Sequence, residues 1–159
     1  MNELNIGDIA PLFTLPTDGN GEITLKDLQG QKAVLYFYPK DDTPGCTKES
    51  CNFNDNLSAL SNLNTTVIGL SKCSVKKHDK FKAKYNLDFA LASDENGNTC
   101  EDYGVWGEKS MFGKKYMGIT RSTFLIDEQG KIEHIWRKVK VDGHVDEVLQ
   151  AIGEISEHI

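Results

Sequence analysis

The sequence predicts an α/β fold built on a mixed β-sheet with helices on both faces, and three observations carry that expectation. The 159 residues and 38% hydrophobic content suit one compact domain over 1–159, large enough to bury a core without disulfide staples. Two apolar runs of strand length, AVLYFYP (33–39) and TTVIGLS (65–71), have no polar side, as expected of strands covered on both faces. Each run is followed by a stretch with helical apolar spacing, which gives the order strand, helix, strand, helix.

The elements follow in order. FTLPTDGNGEITL (13–25) places two strand-like pieces around Asp18, Gly19, Asn20 and Gly21, an N-terminal β-hairpin. The run 33–39 stops at Pro39, which can neither donate to a ladder nor continue it. From Thr47, apolar residues at Cys51, Phe53, Leu57 and Leu60 lie close to helical spacing, so a helix follows the strand and its turn. The second strand leads to a helix over 74–86, with Ser74 as N-cap and Val75, Phe81 and Tyr85 facing inward. STFLIDEQGKIEHIWRKV (122–139) predicts two strands joined at Glu128, Gln129 and Gly130. The closing helix, 144–159, buries Val145, Val148, Leu149, Ile152 and Ile155. This order is thioredoxin-like in outline, a mixed central β-sheet flanked by helices on both faces with an N-terminal β-hairpin extension. Fold by itself does not give function.

Charge and cysteine usage narrow the function. The net charge is -6, with lysines scattered among acids, so the basic footprint of a nucleic-acid binder is missing. No stretch approaches the roughly 20 apolar residues of a membrane span. The start, MNELNIGDIAPLF, lacks the basic and apolar regions of a signal peptide. A cytoplasmic protein without membrane contact is expected. Four cysteines are too few for a secreted disulfide scaffold, and in a reducing compartment paired cysteines are more often catalytic or metal-binding. Structural zinc sites prefer closely spaced pairs, and neither Cys73 nor Cys100 has a near partner, so no metal site is expected.

The chemistry concentrates in YFYPKDDTPGCTKESC (36–51). Cys46 stands where a turn-rich loop becomes a helix, so unpaired first-turn N–H groups and the positive end of the dipole favour its thiolate. It is the candidate nucleophile. Cys51 follows five residues later. In a helix that spacing separates the Cα atoms by about 8.6 Å, against roughly 4.4–6.8 Å in a disulfide. If the two sulfurs pair, the start of the helix must unwind. Oxidation of Cys46 to a sulfenic acid, which condenses with a second thiol to a disulfide and water, would make Cys51 the resolving partner. Thr43 can aim its hydroxyl toward the sulfur or serve the turn. Pro39 can end a strand or shield the thiolate. Glu49 can be an ordinary early-helix acid or hold a nearby arginine.

PKDDTPGCTKESC contains Pro-x-x-x-Thr-x-x-Cys, and with the second cysteine five positions on it resembles the peroxiredoxins, in particular the Q-type or bacterioferritin comigratory subfamily. GDIAPLFTL, YGVWGEKSMFGKKYMGITRSTFLID and IWRKVKVDGHVDEVL extend the resemblance over nearly the whole chain. It implies thiol-dependent reduction of hydrogen peroxide and organic hydroperoxides without metal, haem or flavin. By position, Cys46 matches the peroxidatic cysteine, Cys51 the resolving one, Thr43 the hydroxyl contacting sulfur and peroxide, and Pro39 the shielding proline. Arg121 matches the active-site arginine, which sequence alone could not choose over Arg137. The resemblance further implies an intramolecular Cys46–Cys51 disulfide, reduction by thioredoxin or glutaredoxin, and a monomer or weak dimer. Cys73 stands as a reserve resolving residue; Cys100 is expected to be a buried thiol.

Overall fold

The computed structural model describes residues 3–157, with side chains described through residue 153. In chain order the elements are β1 (Thr14–Thr17), β2 (Gly21–Thr24), β3 (Lys32–Phe37), α1 (Pro44–Asp55), α2 (Leu57–Asn62), β4 (Thr65–Ser71) and α3 (Val75–Tyr85). There follow β5 (Ala90–Ser93), α4 (Thr99–Asp102), β6 (Trp106–Met111), β7 (Lys114–Ile119), β8 (Ser122–Ile126), β9 (Ile132–Arg137) and α5 (His144–Glu157). Seven strands form one mixed sheet in the order β2-β1-β5-β4-β3-β8-β9, and β6 and β7 pair separately.

β3 is the centre of this architecture. It runs parallel to β4 and antiparallel to β8, and every one of its residues is buried. Because successive side chains of a strand point to opposite faces, Val34 and Tyr36 join one core while Ala33, Leu35 and Phe37 join the other. The first core is covered by α1, α2, α3 and α5 through Phe53, Leu60, Phe81 and Val148. The second lies under a 3₁₀ turn at Leu25–Leu28, the N-terminal segment at Phe13 and the short α4 at Cys100. Helices cover both faces, as the sequence predicts, but unequally.

Aromatic packing ties the second half of α1 to the sheet. Phe53 is fully buried and stacks on Tyr36 with ring centroids 4.7 Å apart; truncating such a ring typically costs about 3–5 kcal/mol. Tyr36 fits across the sheet because β4 carries Gly69 opposite it, where a Cβ would lie 2.8 Å from the Tyr36 hydroxyl. The same hydroxyl is 2.8 Å from Ser50 Oγ on α1.

Boundaries differ from expectation in instructive places. α1 begins at Pro44, earlier than Thr47, because proline at the first helical position is preorganised for the helix and lacks only an N–H that would be unpaired there. β3 begins at Lys32, a lysine only 3% exposed, whose ammonium is held by Glu133 at 2.6 Å. Ser74 caps α3 by accepting from Lys77 N–H at 3.2 Å, but the fully buried residues of that helix are His78 and Phe81. Val145, Val148 and Ile152 of α5 are buried, with Leu149 packed against them. The side chain of Ile155 and the helix end at 158–159 lie outside the described residues.

Candidate active site

Sheet topology brings the site together. Antiparallel pairing sets Phe37, the last residue of β3, opposite Ser122, the first of β8. The loop after β3 and the residue before β8 therefore meet at one end of the sheet, where α1 starts. Cys46 lies in the first turn of α1 and is 1% exposed. Arg121, immediately before β8, sends Nη2 to within 3.3 Å of its Sγ. Gly45 makes that approach possible, since a Cβ there would meet Arg121 Nη2 at 3.2 Å.

The other guanidinium arm donates from Nη1 to Glu49 Oε1 at 2.7 Å. Glu49 is 1% exposed, and its Oε2 is buried with no hydrogen-bond partner. Burial therefore outweighs the Arg121 charge and pushes the Glu49 carboxyl up to about 7. Arg121 is thus bonded on one arm to a carboxyl group and on the other to the sulfur. Arg137 has a different position: it pairs with Glu3, donates to the Leu4 carbonyl at 3.3 Å and lies over the Phe124 ring. Between the two arginines, only Arg121 contacts Cys46.

Thr43 is the N-cap residue of α1, but its side chain does not cap the helix; it donates to the Lys40 carbonyl at 2.9 Å. No acid occupies the first turn of α1, so its positive end is left available beside Cys46. Pro39 is exposed and lines a pocket of about 360 Å³ together with Cys73, Trp106 and Lys109. Cys51 sits half-buried farther along the same helix, where burial and then Asp55 push its thiol up. All four cysteines are free thiols, consistent with the separation that a continuous helix over Pro44–Asp55 imposes on Cys46 and Cys51.

Two titratable groups beside the site carry no mark in the sequence. Lys109 on β6 is half-buried and donates to the Ile119 carbonyl. Burial and then Arg121 push its ammonium down, while Cys46 acts in the opposite sense, so Lys109 is within electrostatic reach of the sulfur. His144, at the start of α5, is buried with Nε2 2.8 Å from Thr123 Oγ1. Burial, with Arg121 contributing, pushes it down to about 4, leaving a neutral imidazole beside the site at neutral pH. Neither residue has a local motif that would mark it. Among the described residues no group of three or more His, Cys, Asp or Glu side chains could hold a metal ion.

A buried cysteine facing a guanidinium at a helix start, on a sheet of this order, is the arrangement of a thiol peroxidase. The AhpC/TSA family profile matches residues 6–135, and the chain belongs to that family. It is 48% identical over 154 residues to Peroxiredoxin Bcp of Bacillus subtilis, covering 97% of this chain and 98% of that one. It is 47% identical over 154 residues to Peroxiredoxin Bcp of Escherichia coli, covering 97% and 99%. Among solved structures, a cysteine-to-serine variant of Xylella fastidiosa PrxQ superposes with a TM-score of 0.92 at 41% identity, covering 98% of this chain and 99% of that one. Xanthomonas campestris Peroxiredoxin Q gives 0.85 at 44%, covering 89% and 90%. The chain is a peroxiredoxin-type enzyme that reduces peroxides through thiol chemistry, and these relatives are of the Bcp and Q type.

Proposed function

We propose that the chain, a single domain over 1–159, reduces hydroperoxides at Cys46, resolves the product with Cys51 and is recycled by thioredoxin or a similar dithiol donor such as glutaredoxin. The observation that carries this reading is the 3.3 Å contact from Arg121 Nη2 to Cys46 Sγ. A guanidinium stabilises the thiolate before reaction and the negative charge that develops on oxygen during it.

The Cys46 thiolate attacks the terminal oxygen of ROOH. The S–O bond forms as the O–O bond breaks, and RO⁻ leaves and takes a proton from the medium to become ROH. Cys46 is now a sulfenic acid. Thr43 already donates its proton to Lys40, so its oxygen lone pairs are free to accept from the peroxide O–H. Pro39 takes the shielding role that its place in the Pro-x-x-x-Thr-x-x-Cys motif gives it, and Glu49 holds Arg121 in place. The first turns of α1 then unwind, Cys51 attacks the sulfenic sulfur, and water leaves with formation of the Cys46–Cys51 disulfide. A dithiol donor supplies the two electrons and two protons that restore both thiols. Such donors act in reducing compartments, which fits a cytoplasmic protein, and we take the working unit to be a monomer or weak dimer.

The test is a thiol count after adding hydrogen peroxide to reduced protein. Wild type loses two thiols rapidly, Cys51→Ser accumulates a trappable sulfenic acid, and Cys46→Ser loses none. A wild-type disulfide mapping to any pair other than Cys46 and Cys51 would overturn the assignment.

A further inference from the structure

The corner of chain that leads into α1 is gripped at two consecutive residues by one helix. Asp41 points inward and is 8% exposed. Its Oδ1 accepts from the Tyr38 hydroxyl at 2.5 Å, and its Oδ2 lies 2.7 Å from Nδ1 of His78, a fully buried residue of α3. His78 Nε2 is 3.1 Å from the Ala92 carbonyl on β5, and the Asp41 N–H donates to Cys73 Sγ at 3.4 Å. Asp42 points outward with φ at 59°, a left-handed conformation uncommon for a residue with a side chain. Its carboxylate accepts from Tyr85 Oη at 2.6 Å and Lys84 Nζ at 2.8 Å, both on α3.

The proton positions on His78 follow from its partners. A carbonyl oxygen only accepts, so Nε2 carries a proton. The short contact between Nδ1 and Oδ2 needs one more proton between them. Asp41 and His78 therefore form a net-neutral, fully bonded buried pair, and loss of either partner strands the other in a low-dielectric interior.

We propose that α3 acts as a two-point clamp on Asp41 and Asp42, with His78 as the positioning residue that sets where Cys46 stands relative to Arg121. This rests on the assignment of Cys46 as the reacting sulfur. Beyond the corner, Thr43 accepts the first helical hydrogen bond from Thr47 N–H at 2.8 Å, so the direction in which the corner delivers the chain fixes the start of α1. A displacement of about 1 Å at a reacting group can cost on the order of 100-fold in rate. The clamp also gives α1 a fixed end against which to unwind, because Asp41 and Asp42 are held to α3.

Stability and positioning are separated by choice of variant. Asp41→Leu with His78→Leu replaces both buried partners by apolar side chains of similar size, which is tolerated far better than stranding one. Asp41→Asn keeps the clasp, since its amide can donate to Nδ1 while its carbonyl accepts from Tyr38. Tyr85→Phe with Lys84→Met releases only the outer grip, on the surface. The readout is the second-order rate of pre-reduced, folded protein with hydrogen peroxide, together with the slowly exchanging imidazole N–H resonances of His78. The double leucine variant is expected to react about tenfold or more slowly, the outer variant about threefold more slowly, and Asp41→Asn within about threefold of wild type with the Nε2–H resonance retained. A folded double leucine variant at the parental rate overturns the clamp, as does an Asp41→Asn variant that slows as far as it does. Should the double leucine variant fail to fold, an outer variant at the parental rate overturns the two-point form. Cys46→Ser is the control: peroxide consumption surviving there would defeat the active-site assignment, not the clamp.

Discussion

Two helix starts in this chain each hold a buried cysteine, and they are built with opposite polarity. At the start of α1, Cys46 is 1% exposed with a guanidinium nitrogen 3.3 Å from its sulfur. At the start of α4, Cys100 is 0% exposed beside Asp94, whose carboxylate accepts from Thr99 N–H at 3.1 Å and from Cys100 N–H at 2.8 Å. The positive end of α4 is thereby satisfied by the protein's own anion. That of α1 is not, because Thr43 turns its hydroxyl to Lys40 and no first-turn acid follows. Burial and then Asp94 push the Cys100 thiol far above its ordinary range. Residue type, depth and place on the helix are alike in the two sites. The difference lies in the sign of the neighbouring charge, so a helix start alone does not make a cysteine reactive.

The largest effect expected from this contrast is at the sulfurs themselves. Cys46→Ser should lower peroxide consumption by at least about 1,000-fold, whereas Cys100→Ser should leave it within about twofold, measured with a dithiol reductant in excess. Comparable losses in the two variants would break the comparison at its root.

Next comes the cation. Arg121→Met should slow the reaction of reduced protein with hydrogen peroxide by about 100-fold, and Arg121→Lys should restore only part of that loss, since an ammonium cannot bridge Glu49 and Cys46 as a planar fork does. Stopped-flow rates for the three proteins decide it; a lysine variant at the parental rate would show that charge suffices and that the fork is unnecessary.

A transplant sharpens the point. Thr43→Asp gives α1 the kind of anionic cap that α4 already has. It should raise thermal stability, by about 1 kcal/mol, while reacting with peroxide about tenfold more slowly than Thr43→Asn, which also lacks the hydroxyl but brings no charge near the sulfur. Stability and rate moving in the same direction would contradict the reading that the open helix end serves the thiolate.

How much of this was legible in the sequence follows from the range of each interaction. The hairpin, β3, β4, α3 and the Cys46 loop are set by local apolar period, turn residues and N-caps, and were read close to their bounds. The segment between α3 and β8 carries no comparable local signal. β6 and β7 pair outside the main sheet with most side chains exposed, so no buried face imposes alternation. Their turn places Phe112 at φ 53° before Gly113 at φ 79°, where Asn-Gly would have announced a hairpin. His78 lay within reach, since it falls three residues after Val75 and three before Phe81 on the apolar stripe of α3. The contact of Arg121 with Cys46 spans 75 residues and leaves no trace in spacing; resemblance alone pointed to it, and sheet topology explains it.

The smallest effect expected concerns Glu49, the anion that the α1 site does tolerate. Its carboxyl is raised from 4.5 to about 7 in the folded protein, by burial acting against Arg121. Between those values the native state holds a proton that the unfolded chain has released, so the Glu49 contribution to stability falls as pH rises and is fully present only below the unfolded value. One such proton amounts to about 1 kcal/mol between roughly pH 6 and pH 7. Glu49→Gln removes the slope. Denaturant melts of the two proteins across that interval should show wild type losing ground to the variant as pH increases. His144, pushed down to about 4 by burial and then Arg121, contributes the opposite slope, losing stability as pH falls below its unfolded value. It is present in both proteins and cancels in the difference. Parallel curves would mean that Arg121 keeps Glu49 ionised throughout, and that the start of α1 balances its charges fully, as the start of α4 does.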